Sequence, residues 1–270
     1  MAKVVVSKFV YSFLGNDAMR AVAESPRLQI STRKSSSRRS SASDSQTHTH
    51  TISTLPSKRT AYLCNPQTIS SLAHIHSVTV MVVNLYFSNP NLLSVHGFGY
   101  LIPRSIPFEQ NPERALGVVF DSDATIGQDT VPGTKVTVML GGHWWDGWDS
   151  YPDENEGAQM ACAVLQRHLK VTEPPDAVHV GLQTECIPQY VVGHEHRMTV
   201  ASRHLEKAYK GRLRVAGNSY TGVGLNDCIR AGRDVVKGLV AEDGRMRTGL
   251  ESFTQEKRWV KAKLTAKEPS

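Results

Sequence analysis

The chain has 270 residues, 40% of them hydrophobic, which is enough to build a core, and its formal net charge is +6. Residues 1–60 hold ten Lys or Arg against three acidic residues, so the rest of the chain is close to neutral. Because the positive charge is concentrated in this leader, the composition argues against a fold that binds nucleic acid.

Residues 1–75 are predicted to be a disordered, basic leader rich in Ser and Arg. Ser and Arg dominate residues 31–45, which offer almost nothing to bury. An acid-poor composition of this kind is typical of a mitochondrial transit peptide, and it fits a solvated tail or a wrongly joined gene start equally well. Composition alone leaves these alternatives open.

Three β-branched runs predict strands at 78–87, 116–120 and 135–140. They read VTVMVVNLYF, LGVVF and KVTVML, with turn-forming residues between them. Together they predict a mixed or antiparallel sheet. Apolar residues at helical spacing then predict helices at 161–169 and 198–209.

The next segment, LRVAGNSYTGVGLNDCIRAGRDVV, starts at Leu213 and predicts a strand, a glycine-containing loop and a helix. Asn226 or Asp227 is the expected helix cap. A helix amino terminus presents unpaired N–H groups and partial positive charge, which suits an electron-rich ligand edge. Taken by itself, the pattern favours a buried turn between a strand and a helix over a ligand site, because glycine-rich loops are common.

Residues 241–270 are highly charged and are predicted to be a mobile tail. The four cysteines are scattered without a C-x-x-C pair, which predicts reduced thiols and neither a zinc ribbon nor a redox motif. Alternating histidine pairs such as His194 and His196 are insufficient for a metal site, so none is predicted. No apolar run approaches the roughly 20 residues of a spanning helix, so any membrane association is expected to be peripheral.

Four sequence blocks, in their order along the chain, resemble the protoporphyrinogen oxidases. They are VTVMVVNLYF with GFGYLIPRS, ALGVVFDSDATIGQDTVPGTKVTVMLGG, CIPQYVVGHEHRM, and the strand–loop–helix segment that starts at Leu213. The combination of the four blocks in this order is specific to the family, whereas no single block is. The likeness spans residues 78–240 and corresponds to the carboxyl-terminal half of family members.

The resemblance implies an α/β fold with α+β character, an incomplete form of the FAD-dependent amine-oxidase fold. Residues 76–190 would form a partial substrate-binding sheet domain, and 191–240 a carboxyl-terminal segment that contacts FAD. The implied reaction is oxidation of protoporphyrinogen IX to protoporphyrin IX by oxygen in haem biosynthesis. The implied location is the mitochondrial inner membrane, with peripheral attachment; a homodimer is left open, and no nucleic acid is implied as a partner.

The resemblance also assigns binding positions. The loop positions that match family residues near the isoalloxazine ring of FAD are Gly217, Asn218, Val223, Gly224 and Leu225. Leu182 matches a position where many relatives place tryptophan against the flavin. Ile102 and Ile126 lie in blocks that line the porphyrin cavity of the family. No catalytic residue is assigned.

One departure from the family concerns the other end of FAD. The sequence has no G-x-G-x-x-G after a strand near its amino terminus, nor the acidic residue about twenty positions later that would bind the adenosine ribose. We therefore expect a truncated protein whose catalytic competence is open. The alternatives are a non-catalytic fragment that binds porphyrin or a partner chain, and another amine-oxidase relative such as a carotenoid or polyamine enzyme.

Overall fold

The structure is a computed structural model that describes residues 2–5, 28–31, 50–64, 69–127, 129–241 and 245–254. The chain divides into two compact units. The first unit comprises Met1–Ile75 with Tyr190–Ser270, and the second comprises His76–Gln189. The second unit is thus a continuous insertion between the two halves of the first.

Strands and helices are distributed over both units. The strands are β1 (Ala2–Val5), β2 (Leu28–Ser31), β3 (Thr51–Ser53), β4 (Ser77–Phe87), β5 (Gly99–Leu101), β6 (Ala115–Phe120), β7 (Thr134–Gly141), β8 (Ala177–Pro188) and β9 (Leu213–Val215). The helices are α1 (Ser57–Leu63), α2 (Ser70–Ala73), α3 (Asp121–Ala124), α4 (Glu154–Leu169), α5 (His194–Tyr209) and α6 (Leu225–Val240).

The second unit is built on a five-stranded antiparallel sheet in the order β5, β6, β7, β4, β8. The predicted strands at 78–87, 116–120 and 135–140 are confirmed as β4, β6 and β7. Strand β8 was not predicted. It lies at the sheet edge with most of its residues exposed, so its sequence lacks a clear alternation of buried and exposed positions.

The core of this unit lies between one face of the sheet and α4. Alternate residues of β4, including Met81 and Val83, are buried together with Val164 and Leu165 of α4. Each such apolar side chain contributes about 1.5–3 kcal/mol through burial. A capping box starts α4, because Glu156 N–H donates to Asp153 Oδ1 at 2.8 Å and Asp153 N–H donates to Glu156 Oε2 at 2.9 Å. The helix predicted at 161–169 is the carboxyl-terminal part of α4.

The first unit has a separate core in which α5 is central. Met198, Ala201 and Leu205 of α5 are fully buried, and the helix predicted at 198–209 is confirmed within it. These residues share their cluster with Leu213 and Val215 of β9. The short parallel pair of β3 and β9 adjoins this core.

Parts of the predicted leader and tail belong to this core, which corrects the expectation that 1–75 and 241–270 are disordered or mobile. Ile69, Leu72 and Ile75 keep at most 2% of their surface exposed, and Leu250 keeps none. Their burial depends on distant partners in α5 and β9, which sequence windows do not reveal. Residues 32–49, which hold most of the Ser- and Arg-rich run, and residues 255–270 lie outside the described residues.

Within the described residues, no helix combines the length and apolar character needed to cross a membrane. No disulfide joins cysteines among the described residues, and each of the four cysteines is partly buried. Burial raises the pKa of the Cys162 and Cys228 thiols above the ordinary value. These thiols are therefore protonated and weakly nucleophilic at neutral pH.

Candidate functional site

The glycine-containing loop 216–224 starts from a buried strand whose two edges are both paired. On one side β9 runs parallel to β3, and Ala216 N–H extends the ladder by donating to Ser53 O at 3.0 Å. On the other side Val215 N–H donates to Thr248 O at 2.8 Å. Because both edges are occupied, the point at which the loop leaves the sheet is held in place.

Two side chains anchor the loop from within. Ser219 Oγ accepts a hydrogen bond from Ser57 N–H at 3.3 Å. Tyr220 is fully buried, and its hydroxyl donates to Leu55 O at 3.0 Å and lies 2.9 Å from Thr60 Oγ1. Each of these partners lies in or just before α1. The segment predicted as leader therefore fixes the middle of the loop.

A stacked pair of rings supports the same loop from the start of α5. The Tyr190 and His194 rings are nearly parallel at an 11° angle, with their centroids 3.8 Å apart. The Tyr190 hydroxyl donates to Asn218 O at 2.6 Å, and His194 Nε2 lies 2.9 Å from Tyr220 O. Because a carbonyl oxygen only accepts, Nε2 must carry the proton. The pair thus holds two loop carbonyls in fixed positions.

Tyr190 and His194 lie in the CIPQYVVGHEHRM block, and no loop-supporting role was predicted for either residue. Their spacing of four residues was the available signal, because a turn that leads into a helix can bring such positions face to face. Burial lowers the pKa of His194 below its ordinary value of 6.5, so the imidazole is neutral at pH 7. Its Nδ1 is buried without a hydrogen-bond partner in the described structure, which favours the uncharged ring further.

His194 is expected to make folding pH-dependent. Since its folded pKa is lowered, the unfolded chain takes up a proton first as the pH falls below 6.5, and the folded state loses stability through that window. We expect the unfolding free energy of His194→Gln to fall less steeply than that of the natural chain between about pH 7 and pH 5. Glutamine keeps a donor for Tyr220 O. Urea unfolding at several pH values measures the slope of the unfolding free energy against pH for each protein.

The exposed His196, on the same helix, provides the control. His196→Gln should keep the slope of the natural chain. Equal slopes for the natural chain and His194→Gln would contradict the assignment of a neutral, buried imidazole at position 194.

The loop ends at Gly224, which is the N-cap of α6 and makes no side-chain cap bond. The expectation that Asn226 or Asp227 caps the helix is therefore wrong. Asp227 lies inside the first turn and folds back, so a Cβ placed on Gly222 would lie 2.5 Å from its side chain. Its Oδ1 accepts from Arg230 at 2.7 Å. Gly222 thus makes room for the chain's own carboxylate.

Three of the five predicted loop positions, residues 223–225, lie where the loop passes into α6, and Gly217 and Asn218 lie at the start of the loop. Val223 and Leu225 are apolar and 50% and 52% exposed, and Gly224 between them is also exposed. Gly217 has φ +123°, which accounts for glycine at that position. Two exposed apolar side chains beside the first-turn N–H groups of α6 can contact a flat ring that has an electron-rich edge.

The same turn suits a pyrophosphate poorly. Asp227 supplies negative charge within the first turn, where an anion would otherwise be stabilised by the helix amino terminus. The sequence also has no glycine-rich phosphate motif elsewhere. The residues present therefore fit the ring end of a flavin, and they do not fit its phosphate end.

The three other predicted positions lie in the second unit and do not share one cluster. Leu182 is on β8 opposite Met81 and is 40% exposed. Ile102 is 9% exposed, packs in the core and donates its N–H to Leu116 O at 2.9 Å. Ile126 is 87% exposed in the loop after α3. The structure makes Ile102 a core residue, and its contact with substrate stays a prediction.

A cavity of about 740 Å³ lies elsewhere in the second unit. It is bounded by residues 148–152 and by Glu156, Gln159 and Met160 at the start of α4. None of the predicted substrate positions lines it.

The chain is similar in sequence to several proteins named protoporphyrinogen oxidase. Protoporphyrinogen oxidase of Schizosaccharomyces pombe is 38% identical over 165 residues, covering 60% of this chain and 33% of that protein. The Homo sapiens protoporphyrinogen oxidase is 35% identical over 201 residues, covering 72% of this chain and 41% of that protein. The resemblance to the protoporphyrinogen oxidases is confirmed. The chain spans between a third and two fifths of the length of these relatives.

The fold agrees with this result. A solved structure from Exiguobacterium, provisionally named protoporphyrinogen oxidase, matches with a TM-score of 0.66 at 18% identity and covers 84% of this chain and 50% of that chain. This likeness confirms the predicted mixed helix-and-sheet fold class. No family model matches the chain.

Proposed function

We propose that this chain supplies the flavin-ring loop and part of the substrate sheet of a protoporphyrinogen oxidase. The proposed reaction is oxidation of protoporphyrinogen IX to protoporphyrin IX with oxygen, in haem biosynthesis. The observation that supports it is the turn at 223–225, where exposed apolar side chains adjoin the uncapped start of α6. The chain's similarity to named protoporphyrinogen oxidases supports the substrate.

In this proposal FAD, when bound, supplies the electron-accepting chemistry. The chain's own groups orient the ring and exclude water. Val223 and Leu225 would pack against its apolar part, and the first-turn N–H groups of α6 would donate to its carbonyl edge. Gly217 and Asn218 shape the turn that presents these groups.

The remaining proposed contacts and the proposed location rest on the resemblance. Leu182 would add an apolar contact to the flavin, and Ile102 and Ile126 would contact the porphyrin. The basic, acid-poor residues 1–60 support a mitochondrial location, with peripheral attachment at the inner membrane. Fractionation of cells that express the full chain tests this location.

Flavin binding by this loop can be tested with two matched variants on α6. Leu225 and Ile229 are both 52% exposed, so neither substitution by Asp should unfold the protein. We expect Leu225→Asp to weaken flavin binding about tenfold, because it places a charge against the apolar part of the ring. Ile229→Asp, one turn further along, should bind as the natural chain does. Flavin fluorescence quenching measures both affinities.

The structure also predicts which part of the cofactor is recognised. Because the described loop suits only the ring, FAD and riboflavin should bind with affinities within about threefold of each other. A much tighter affinity for FAD would show that an adenylate site exists and would contradict the fit described above. An equal loss of flavin affinity in Leu225→Asp and Ile229→Asp would show that the flavin lies elsewhere.

Activity is tested separately. Purified chain saturated with FAD should raise porphyrin fluorescence above the rate of autoxidation when protoporphyrinogen is added under air. A rate equal to that of autoxidation would overturn the enzymatic proposal while leaving ring binding intact. The two experiments therefore separate binding from turnover.

One observation favours a second candidate, a non-catalytic chain that binds a partner. Helix α6 carries exposed apolar side chains on one face, where Ile229 and Val236 lie two turns apart and Val236 and Val240 one turn apart; they are 52%, 43% and 69% exposed. Such rows typically pack against another surface. Absence of turnover together with weaker partner capture by Val236→Asp would support this candidate over the enzyme.

A further inference from the structure

The Tyr190 hydroxyl contacts the glycine-containing loop at two of its residues. It donates to Asn218 O at 2.6 Å and also forms a hydrogen bond with the backbone of Gly222. Burial raises the pKa of Tyr190 to about 12, so the hydroxyl is protonated at neutral pH and remains a donor. A single oxygen atom thus joins two points of the loop that are four residues apart.

The Tyr190 ring is held in place by the ring of His194. The two rings are stacked with their centroids 3.8 Å apart, and the other contacts of the imidazole are an edge-on contact with Phe253 at 6.0 Å and the bond to Tyr220 O. Stacked and edge-on aromatic contacts restrict the rotation of each ring. The hydroxyl is therefore presented to the loop by a side chain that has little freedom to move.

Gly222 connects this hydroxyl to the turn at 223–225. Its carbonyl oxygen accepts from Cys228 Sγ at 3.8 Å, and the Asp227 side chain lies where a Cβ of residue 222 would be. Both partners belong to the first turn of α6. A shift of Gly222 would therefore displace Val223 directly and disturb the packing of the loop on the start of the helix.

We propose that Tyr190 is a positioning residue for the flavin ring. Its hydroxyl clamps the loop at residues 218 and 222, and the clamp holds the turn at 223–225 in the shape that receives the ring. Fixing a binding loop before the ligand arrives strengthens binding, because less conformational freedom is lost on association. The inference rests on the proposed function and extends it to a residue that acts through the loop.

Tyr190→Phe tests the role of the hydroxyl, because it removes the bonds to the loop and keeps the ring on His194. We expect riboflavin to bind about fivefold more weakly, as measured by fluorescence quenching. Tyr209→Phe is the matched control, since the Tyr209 hydroxyl donates to Cys64 O at 2.8 Å in the same unit and Cys64 lies outside the loop. Its riboflavin affinity should stay within about twofold of that of the natural chain.

A double-mutant cycle separates positioning from a general loss of stability. If Tyr190 acts through the turn at 223–225, the effects of Tyr190→Phe and Leu225→Asp on riboflavin affinity are coupled. With single losses of about fivefold and about tenfold, the double variant should lose about tenfold to twentyfold. A loss of about fiftyfold, the product of the two single losses, would show that the residues act independently and would overturn the positioning role.

Hydrogen exchange of the flavin-free chain measures the clamp without a ligand. The amides of residues 217–224 should exchange at least about threefold faster in Tyr190→Phe than in the natural chain or in Tyr209→Phe. If the natural chain binds riboflavin and Tyr190→Phe binds it equally well, the role of Tyr190 is overturned and the proposed function stands. If the natural chain binds no riboflavin, the proposed function fails together with the positioning role.

Discussion

Replacement of Gly249 by alanine is expected to lower the unfolding free energy of the first unit by about 2–5 kcal/mol. Gly249 has φ +88°, and a Cβ there would lie 2.1 Å from Val215 O. That oxygen belongs to β9, whose backbone is paired on both sides and cannot move away cheaply. Denaturant unfolding followed by circular dichroism measures the loss.

Gly193→Ala is the matched control for this experiment. Gly193 has the same φ of +88° and lies in the same unit, but a Cβ there would contact only the end of the Arg197 side chain at 3.4 Å. Gly193→Ala should lower the unfolding free energy by about 1–2 kcal/mol, which is the penalty for an alanine in the left-handed conformation alone. If the two variants lose equal stability, residues 245–254 do not pack against β9 as described.

Replacement of Leu72 by alanine is expected to lower the unfolding free energy by about 2–5 kcal/mol, because it leaves a cavity in the first unit's core. Leu72 is fully buried among residues of α5 and β9. The exposed Tyr62 of α1 supplies the comparison, since it is 74% exposed and Tyr62→Ala should change stability by less than about 0.5 kcal/mol. The same unfolding measurement applies to both.

A negligible effect of Leu72→Ala would mean that α2 does not contribute to the core, and the predicted disordered leader would then extend to residue 75. The expected loss would instead show that α2 is part of the folded core, so the leader ends before it. This boundary matters for the site, because Leu55, Ser57 and Thr60 hold the loop through Ser219 and Tyr220.

The strongest local patterns were predicted correctly. Strands β4, β6 and β7 are runs of β-branched residues bounded by turn formers, and α4 and α5 have apolar residues at helical spacing. Such signals arise within a few residues of chain. Strand β8 lacks them, because an edge strand needs no regular apolar face, and only its pairing with β4 makes it a strand.

The loop at 217–225 was also predicted, but the residues that hold it in place were not. Glycine spacing and family resemblance pointed to a turn that presents a helix amino terminus, and the structure has that turn. Its anchors come from far along the chain: Tyr190 and His194 precede Tyr220 by about thirty residues, and Thr60 precedes it by 160. The cap was misplaced because Asp227 folds back over Gly222, which is a contact between side chain and backbone.

The sequence by itself determined the central strands, the long helices, the position of the glycine-containing loop and the absence of a glycine-rich phosphate motif from the given residues, because each depends on residue types at short spacing. Only the tertiary structure decided that residues 57–64, 69–75 and 245–254 contribute to the core, that the Tyr190–His194 stack holds the loop carbonyls, and that β8 is an edge strand among the described residues. These features depend on burial and pairing between distant segments. The stabilisation that this burial and pairing provide exists only in the packed chain, so no short window of sequence reveals it.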